Sequence, residues 1–175
     1  MFNNKKMTNE YTISAFTENK IGVLNRIIMT LTRRKVNIES LTVSESELKG
    51  LSRFTIVVKT TQHHIKNVVK QLERQVELFK AFYFKNDEIV HQEIALYKLK
   101  ISSLTHSNSF EKIIRENNAR VLSIQNDFII IEKSGFKKDT QLLFNLLKDY
   151  GIVQFARSGR VALSKPEIDL NIKRN

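Results

Sequence analysis

One order of hydrophobic periodicities runs through this chain twice, and that repeat restricts the fold more than any other feature. Tyr11, Ile13 and Ala15 alternate with Thr12 and Ser14, which is strand spacing. After the polar loop Glu18, Asn19, Lys20 and Gly22, the residues Leu24, Ile27, Ile28 and Leu31 recur along one helical face, so a helix is predicted from Gly22 to Arg34. Strands follow over 36–44 and around Phe54, Ile56 and Val58, with 45–50 as the polar turn of a hairpin. A helix carrying Ile65, Val68, Val69 and Leu72 comes next, then a fourth strand showing Val76, Leu78, Lys80, Phe82 and Phe84 on one face. The order is β-α-β-β-α-β.

After a polar spacer over 85–90 the same order restarts. A strand is expected over 94–102, a loop over 104–109, and a helix bearing Phe110, Ile113 and Ile114. A hairpin joins 121–124 to 128–131. Gly135 precedes a helix with Leu142, Leu143, Leu146 and Leu147, and Gly151 suits its left-handed cap before a strand over 152–156. The fold class is therefore α+β, with two consecutive ferredoxin-like domains at 11–85 and 91–164 and flexible tails at 1–10 and 165–175. Each copy spans roughly 75 residues, small for an independent core, so association with a second chain is expected.

Charge and composition narrow the function classes. The formal net charge is +11, but residues 1–90 hold 15 basic and 9 acidic side chains and residues 91–175 hold 14 and 9. Neither half is a basic arm. The densest run, Arg33, Arg34 and Lys35, falls at a helix end, where cations complement the dipole. No Cys is present, which excludes a disulfide scaffold, a thiolate metal site and a cysteine nucleophile, and favours a reducing, cytoplasmic location. No apolar run approaches the ~18 residues of a membrane span, and the polar start lacks the centre of a signal peptide. A soluble protein with no membrane partner is expected.

Catalytic signatures are missing. No G-x-G-x-x-G, P-loop or G-x-S-x-G string occurs. His63 and His64 would diverge by about 100° on a helix and have no carboxylate completing a ligand set, so no metal site is expected. Glu39 sits in an apolar strand, where an outward or ion-paired carboxylate outweighs acid–base work. The RNA-recognition module, which shares this element order, stacks bases on third-strand aromatics. The matching stretch here is Lys49, Gly50, Leu51, Ser52, Arg53, Phe54, Thr55, Ile56, and it lacks them. No nucleic-acid partner is expected.

The remaining candidates are the loop 18–22 and the strand 37–43. A helix N-terminus offers free N–H groups to a carboxylate, and Gly22 lets the backbone approach closely. Asn19 and Asn37 can each accept from an ammonium group or donate to a carboxylate, and both are expected at the same edge of the unit. Read structurally instead, Asn19 is a helix cap, Gly22 a turn residue and Asn37 a strand-start residue.

At these residues the sequence resembles the small, regulatory subunit of acetolactate synthase (acetohydroxyacid synthase). Glu18-Asn19-Lys20-Ile21-Gly22-Val23-Leu24-Asn25-Arg26 is similar to the ACT-domain opening E-N-x-x-G-V-L-x-R. Asn37-Ile38-Glu39-Ser40-Leu41-Thr42-Val43 is similar to that family's N-I-E-S-L-T-V, and Ala156-Arg157-Ser158-Gly159-Arg160-Val161-Ala162-Leu163-Ser164 to its closing A-R-[ST]-G-x-x-x-L segment. The resemblance implies an ACT domain at 11–85 and a second ACT-like domain at 91–164. It implies no catalysis by this chain and no cofactor in it. The partner would be a large catalytic subunit binding thiamine diphosphate, magnesium and FAD. The chain would raise that subunit's activity and confer feedback control by a branched-chain amino acid, most often valine. Effector contacts would be Asn19, Lys20, Ile21, Gly22, Val23, Leu24, Asn37 and Ile38, at an ACT–ACT interface of a homodimer. The alternative is a stand-alone amino-acid-sensing ACT protein acting on transcription or on another enzyme.

Overall fold

The structure is a computed structural model that describes residues 8–104 and 107–170. It divides into two units, one made of the chain up to Val90 together with the chain from Arg160 onward, the other of His91–Gly159.

In the first unit, β1 (Asn9–Glu18), β2 (Ile38–Glu45), β3 (Leu51–Thr60) and β4 (Leu78–Phe84) form an antiparallel sheet in the order β2-β3-β1-β4. The helices α1 (Val23–Arg33) and α2 (Gln62–Leu72) supply the core stripe. Tyr11, Ile13 and Ala15 meet Phe54, Ile56 and Val58 on one sheet face, beneath Val23, Ile27 and Leu31 of α1 and Ile65, Val68 and Leu72 of α2. The alternation written in β1 and β3 aims every second side chain at the helices. The end of α1 is closed by Lys35 at φ 55, with Val36 N–H donating to the Leu31 carbonyl at 3.0 Å. That is the left-handed stop a glycine often supplies. Thr61 caps α2 by accepting from the His64 N–H at 3.3 Å.

The second unit repeats this plan. β5 (Ile89–Lys100), β6 (Arg120–Ile124), β7 (Phe128–Gly135) and β8 (Ile152–Arg157) run in the order β6-β7-β5-β8, with α3 (Ser107–Glu116) and α4 (Lys137–Leu147). Ala95, Tyr97 and Leu99 pack with Phe110, Ile129, Ile131, Leu143 and Leu147. Gly151 takes φ 71 after a 3-10 turn, as its place before β8 predicts. The α+β class and the doubled β-α-β-β-α-β order are what the structure contains.

Several boundaries and faces differ from expectation. The face of β4 is not Val76, Leu78, Lys80, Phe82 and Phe84. A register shift between Phe16 and Thr17 on β1 inserts one residue on β4, so Leu78, Ala81 and Tyr83 face the core while Val76 lies in the preceding turn, 93% exposed. A bulge reverses the alternation on its far side. The stripe of α4 is Thr140, Leu143 and Leu147, leaving Leu142 and Leu146 outside. In α1, Val23 takes the core position expected of Leu24. The spacer 85–90 holds a 3-10 turn, Asn86–Glu88, and the start of β5. The loop expected over 104–109 is shorter, since α3 begins at Ser107; Thr105 and His106 lie outside the described residues.

The chain ends also differ. Residues 1–7 and 171–175, expected as flexible, lie outside the described residues, but Asn9 and Glu10 belong to β1. The end of the second copy, expected at residue 164, falls on a strand that pairs with β5. The closing strand β9 (Val161–Ser164) and its flanks group with the first unit. Arg53 donates to the Ala162 carbonyl at 2.9 Å, and Lys165 N–H donates to the Glu88 carbonyl at 2.9 Å. Backbone groups met this way, one acceptor and one donor, hold the segment in place.

Candidate functional site

The loop between β1 and α1 is anchored at both ends. Glu18 N–H donates to the Glu77 carbonyl at 2.9 Å and Asn19 N–H to the Gly50 carbonyl at 3.1 Å. Arg26, one turn into α1, pairs with the Glu77 carboxylate, so the same residue steadies the loop and the helix above it. Lys20 pairs with Glu18. That hydrogen bond and its charge raise the lysine's pKa. Ile21 is fully exposed, an apolar side chain at a loop tip that no described residue covers.

Gly22 sits at the N-cap position of α1 with φ 88 and ψ −13. This is left-handed backbone, where a Cβ is costly. A Cβ there would meet nothing within 4 Å, so the requirement is conformational and not one of room. Among the described residues no side chain caps α1, and its first turn holds no acidic residue. Asn19 is therefore not the helix cap that the structural reading suggested. The first-turn N–H groups of Leu24 and Asn25 have no carbonyl within the helix, and the positive end of the helix dipole is left without a counter-charge from this turn. Leu24, 41% exposed, flanks them, while Val23 is buried in the core.

Asn37 and Ile38 lie elsewhere. β1 pairs with β3 so that Glu18 faces Leu51, and β2 pairs with β3 so that Ile38 faces Val58. Seven residues of β3 separate those positions, roughly 23 Å at about 3.3 Å per residue. The expectation that Asn19 and Asn37 share one edge is thus corrected: within one chain they stand at opposite ends of the sheet, because two antiparallel steps and a full helix lie between them. The exposed Asn37 donates to Glu39 Oε1 at 3.2 Å, and Glu39 in turn approaches Lys59 at 3.9 Å. Ile38 is half-buried against the core. The structure brings together Asn19, Lys20, Ile21, Gly22, Val23 and Leu24, and puts Asn37 and Ile38 on the outer strand β2.

The histidines of α2 are engaged in ordinary bonds. His64 Nε2 lies 3.0 Å from the Arg34 carbonyl and His63 Nε2 lies 3.1 Å from Asn67 Nδ2. Among the described residues no group of three His, Asp or Glu could hold a metal, and no helix is long and apolar enough to cross a membrane.

A second constellation escaped the reading of the sequence. Arg160, 9% exposed, donates from Nη1 to Thr12 Oγ1 at 2.7 Å and Asn86 Oδ1 at 3.0 Å, and from Nη2 to Glu10 Oε1 at 2.6 Å. Its backbone N–H donates to Ser40 Oγ at 2.9 Å. Burial works against the Glu10 carboxylate, but hydrogen bonds from Arg160 and Asn86 and the charges of Arg160 and Lys59 outweigh it, holding its pKa below the ordinary glutamate value. The sequence signal was the pair of strings around Ser40 and Arg160; nothing in either string reveals that they touch.

Two βαββαβ units, the first opening on an uncapped helix behind a left-handed glycine, define an ACT-domain protein of the tandem kind. The profile described as the AHAS small subunit-like ACT domain matches residues 13–79, and that of the small subunit of acetolactate synthase matches residues 92–166. The chain is 36% identical to the acetolactate synthase small subunit of Bacillus subtilis over 148 residues, covering 84% of this chain and 86% of that one. It is 32% identical to the counterpart from Mycolicibacterium smegmatis, covering 90% and 92%. The crystal structure of the acetolactate synthase small subunit from Thermotoga maritima superposes with a TM-score of 0.83 at 28% identity, covering 91% of this chain and 99% of that one. The chain belongs to the acetolactate synthase small-subunit family.

Proposed function

We propose that the chain is the regulatory subunit of an acetolactate synthase in branched-chain amino acid biosynthesis. It raises the activity of a large subunit that carries thiamine diphosphate, magnesium and FAD, and makes that activity sensitive to a branched-chain amino acid, valine first among them. Family membership supports the pairing with a catalytic subunit. The observation that carries the effector reading is the uncapped start of α1 behind Gly22, beside the exposed Ile21 and Leu24. The N–H groups of Leu24 and Asn25 suit an amino acid's carboxylate, the Asn19 carbonyl suits its ammonium group, and Ile21 with Leu24 suits a branched apolar side chain.

The separation of Asn37 and Ile38 from this loop supports a site shared by two chains. Among the described residues β2 is the outermost strand of its sheet, and such an edge can pair with another strand. Antiparallel pairing of β2 with the β2 of a second copy is two-fold symmetric. It would set the Gly22 loop of one protomer near Asn37 and Ile38 of its partner.

The test is the cognate large subunit assayed with and without this chain, with valine, leucine or isoleucine added. Stimulation by the chain and inhibition by a branched-chain amino acid are expected, with no acetolactate formed by the chain alone. An unchanged rate at saturating chain, in an intact complex, overturns the assignment. Co-purification with a transcription complex instead would favour a stand-alone sensor.

A further inference from the structure

Both stretches of chain that lead into and out of the second unit are clasped at one side chain. Asn86 stands in the 3-10 turn that leaves the first unit, and Arg160 opens the segment that returns to it. The Arg160 guanidinium bonds the Asn86 side chain at 3.0 Å while also holding Thr12 and Glu10 on β1. Asn86 closes the ring by donating to Glu10 Oε1 at 3.2 Å. Four residues beyond the start of β9, Lys165 reinforces the clasp, its N–H on the Glu88 carbonyl and its Nζ on the Asp87 carbonyl at 2.8 Å.

The clasp is also tied to β2. Arg160 N–H donates to Ser40 Oγ, and Ser40 is two residues from Ile38. The register of β2 against β3 shifts between Ile38 and Ser40, so a bulge at Glu39 lies between the candidate effector residues and the Ser40 anchor. A bulged strand has an unpaired residue and can change its local pairing more readily than a regular ladder. In this structure Asn37 is engaged with Glu39, and Glu39 with Lys59. A ligand that takes the Asn37 N–H now given to Glu39 breaks the first of these bonds.

We propose that Arg160 is the positioning residue through which effector occupancy at Asn37 and Ile38 reaches the two connections of the second unit. It rests on the effector reading above. An effector can shift an equilibrium only through contacts that differ between two states, and the Asn37–Glu39 bond, the bulge and the Ser40–Arg160 bond form a contiguous set of contacts able to differ. The planar guanidinium holds three acceptors on β1 and the outgoing turn at once. A lysine, with one compact ammonium group, cannot reproduce that geometry.

The experiment compares parent chain, Arg160→Lys and Ser40→Ala, each full length, in complex with the large subunit. Valine affinity of the chain alone is read by calorimetry, stimulation is read without valine, and inhibition is read across a valine titration. Both variants are expected to bind valine within about twofold of parent and to stimulate normally. Their inhibition curves are expected to shift by about fivefold or more, the lower range of allosteric couplings. Hydrogen exchange at residues 85–89 and 158–165 is expected to respond to valine in the parent and not in the variants. Ser40→Ala keeps the guanidinium cluster, so it tests the link even where Arg160→Lys is unstable. Parent-like inhibition in Ser40→Ala overturns the inference, as does loss of valine affinity in proportion to inhibition, the mark of a purely structural residue. If the parent chain itself shows no valine response, the effector reading falls, and this inference with it.

Discussion

Asn19 and Asn37 occupy opposite ends of one four-stranded sheet, the first held at Gly50 beyond the start of β3 and the second beside the β2 position that faces Val58. Two residues that can each take part in amino-acid recognition are therefore kept apart by most of a strand. A single ligand touching both requires two chains.

That geometry has a complementation test. Homodimers of Gly22→Asp and of Asn37→Ala are each expected to lose effector binding. In a random mixture half of the dimers are mixed, and each mixed dimer carries one site with an unaltered loop from one chain and Asn37 from the other. By two-fold symmetry about a quarter of the parent's sites return. Calorimetric titration of the mixed sample with valine checks the number, and no recovery above the separate homodimers sinks the shared site. Asn37 is exposed and its side chain donates to the neighbouring Glu39, so its replacement should change stability by no more than about 0.5 kcal/mol.

Gly22→Asp alone should fold, still stimulate the large subunit, and lose most of its valine response. The space for a Cβ is open, so the cost is the left-handed backbone, on the order of 1 kcal/mol. Its carboxylate would sit at the helix N-terminus where the ligand's own carboxylate is expected. Gly22→Ala separates backbone strain from charge, and Asp87→Ala, which leaves the Asp87 carbonyl bonded to Lys165, should respond as the parent does. A parent-like valine curve for Gly22→Asp would make the loop a plain structural turn.

The element order was legible because it depends on local spacing. Tyr11, Ile13 and Ala15, or Ile65, Val68, Val69 and Leu72, repeat at strand and helix periods, and they are core residues in the structure. What failed depends on pairing between strands. The inserted residue on β4 that turns Phe82 and Phe84 away from the core is set by the register against Phe16 and Thr17. The opposed placement of Asn19 and Asn37 follows from strand direction and not from either motif. Arg160 meets Thr12 across 148 positions of sequence, and no local pattern reports such a contact. The loop half of the candidate site could be read as a unit; its relation to β2 could not.

In the second unit, Tyr97 is fully buried and its hydroxyl donates to the Thr140 carbonyl at 2.6 Å. Burial pushes that hydroxyl's pKa well above the usual tyrosine value, so it stays a donor at any working pH. Tyr97→Phe keeps the ring against Phe155 and removes only this bond. A loss of about 1 kcal/mol is expected, read as a lower urea midpoint at unchanged slope. Leu143→Ala, which removes buried methyl groups beneath the same helix, should cost more, about 2 to 5 kcal/mol. Equal midpoints for Tyr97→Phe and parent would mean that the hydroxyl contributes nothing.

Acid titration tests the Glu10–Arg160 pair. The folded pKa of Glu10 lies below its ordinary value because bonds and charges from Arg160, Asn86 and Lys59 outweigh burial. A carboxyl depressed in this way stabilises the fold at pH above its unfolded pKa, about 4.3 for glutamate, and that contribution is lost as pH falls through the folded pKa. Arginine side chains do not titrate in this range, so the change belongs to Glu10. Glu10→Gln should therefore lower Tm at pH 7, keep that deficit down to about pH 5, and approach the parent as pH falls below about 4. Once protonated, a neutral glutamic acid and a glutamine offer Arg160 much the same acceptor. Melting curves of both proteins between pH 7 and pH 3 check the convergence. A Tm difference that stays constant across that range would show that the substitution acts through packing, and that the ion pair with Arg160 adds no charge-dependent stability.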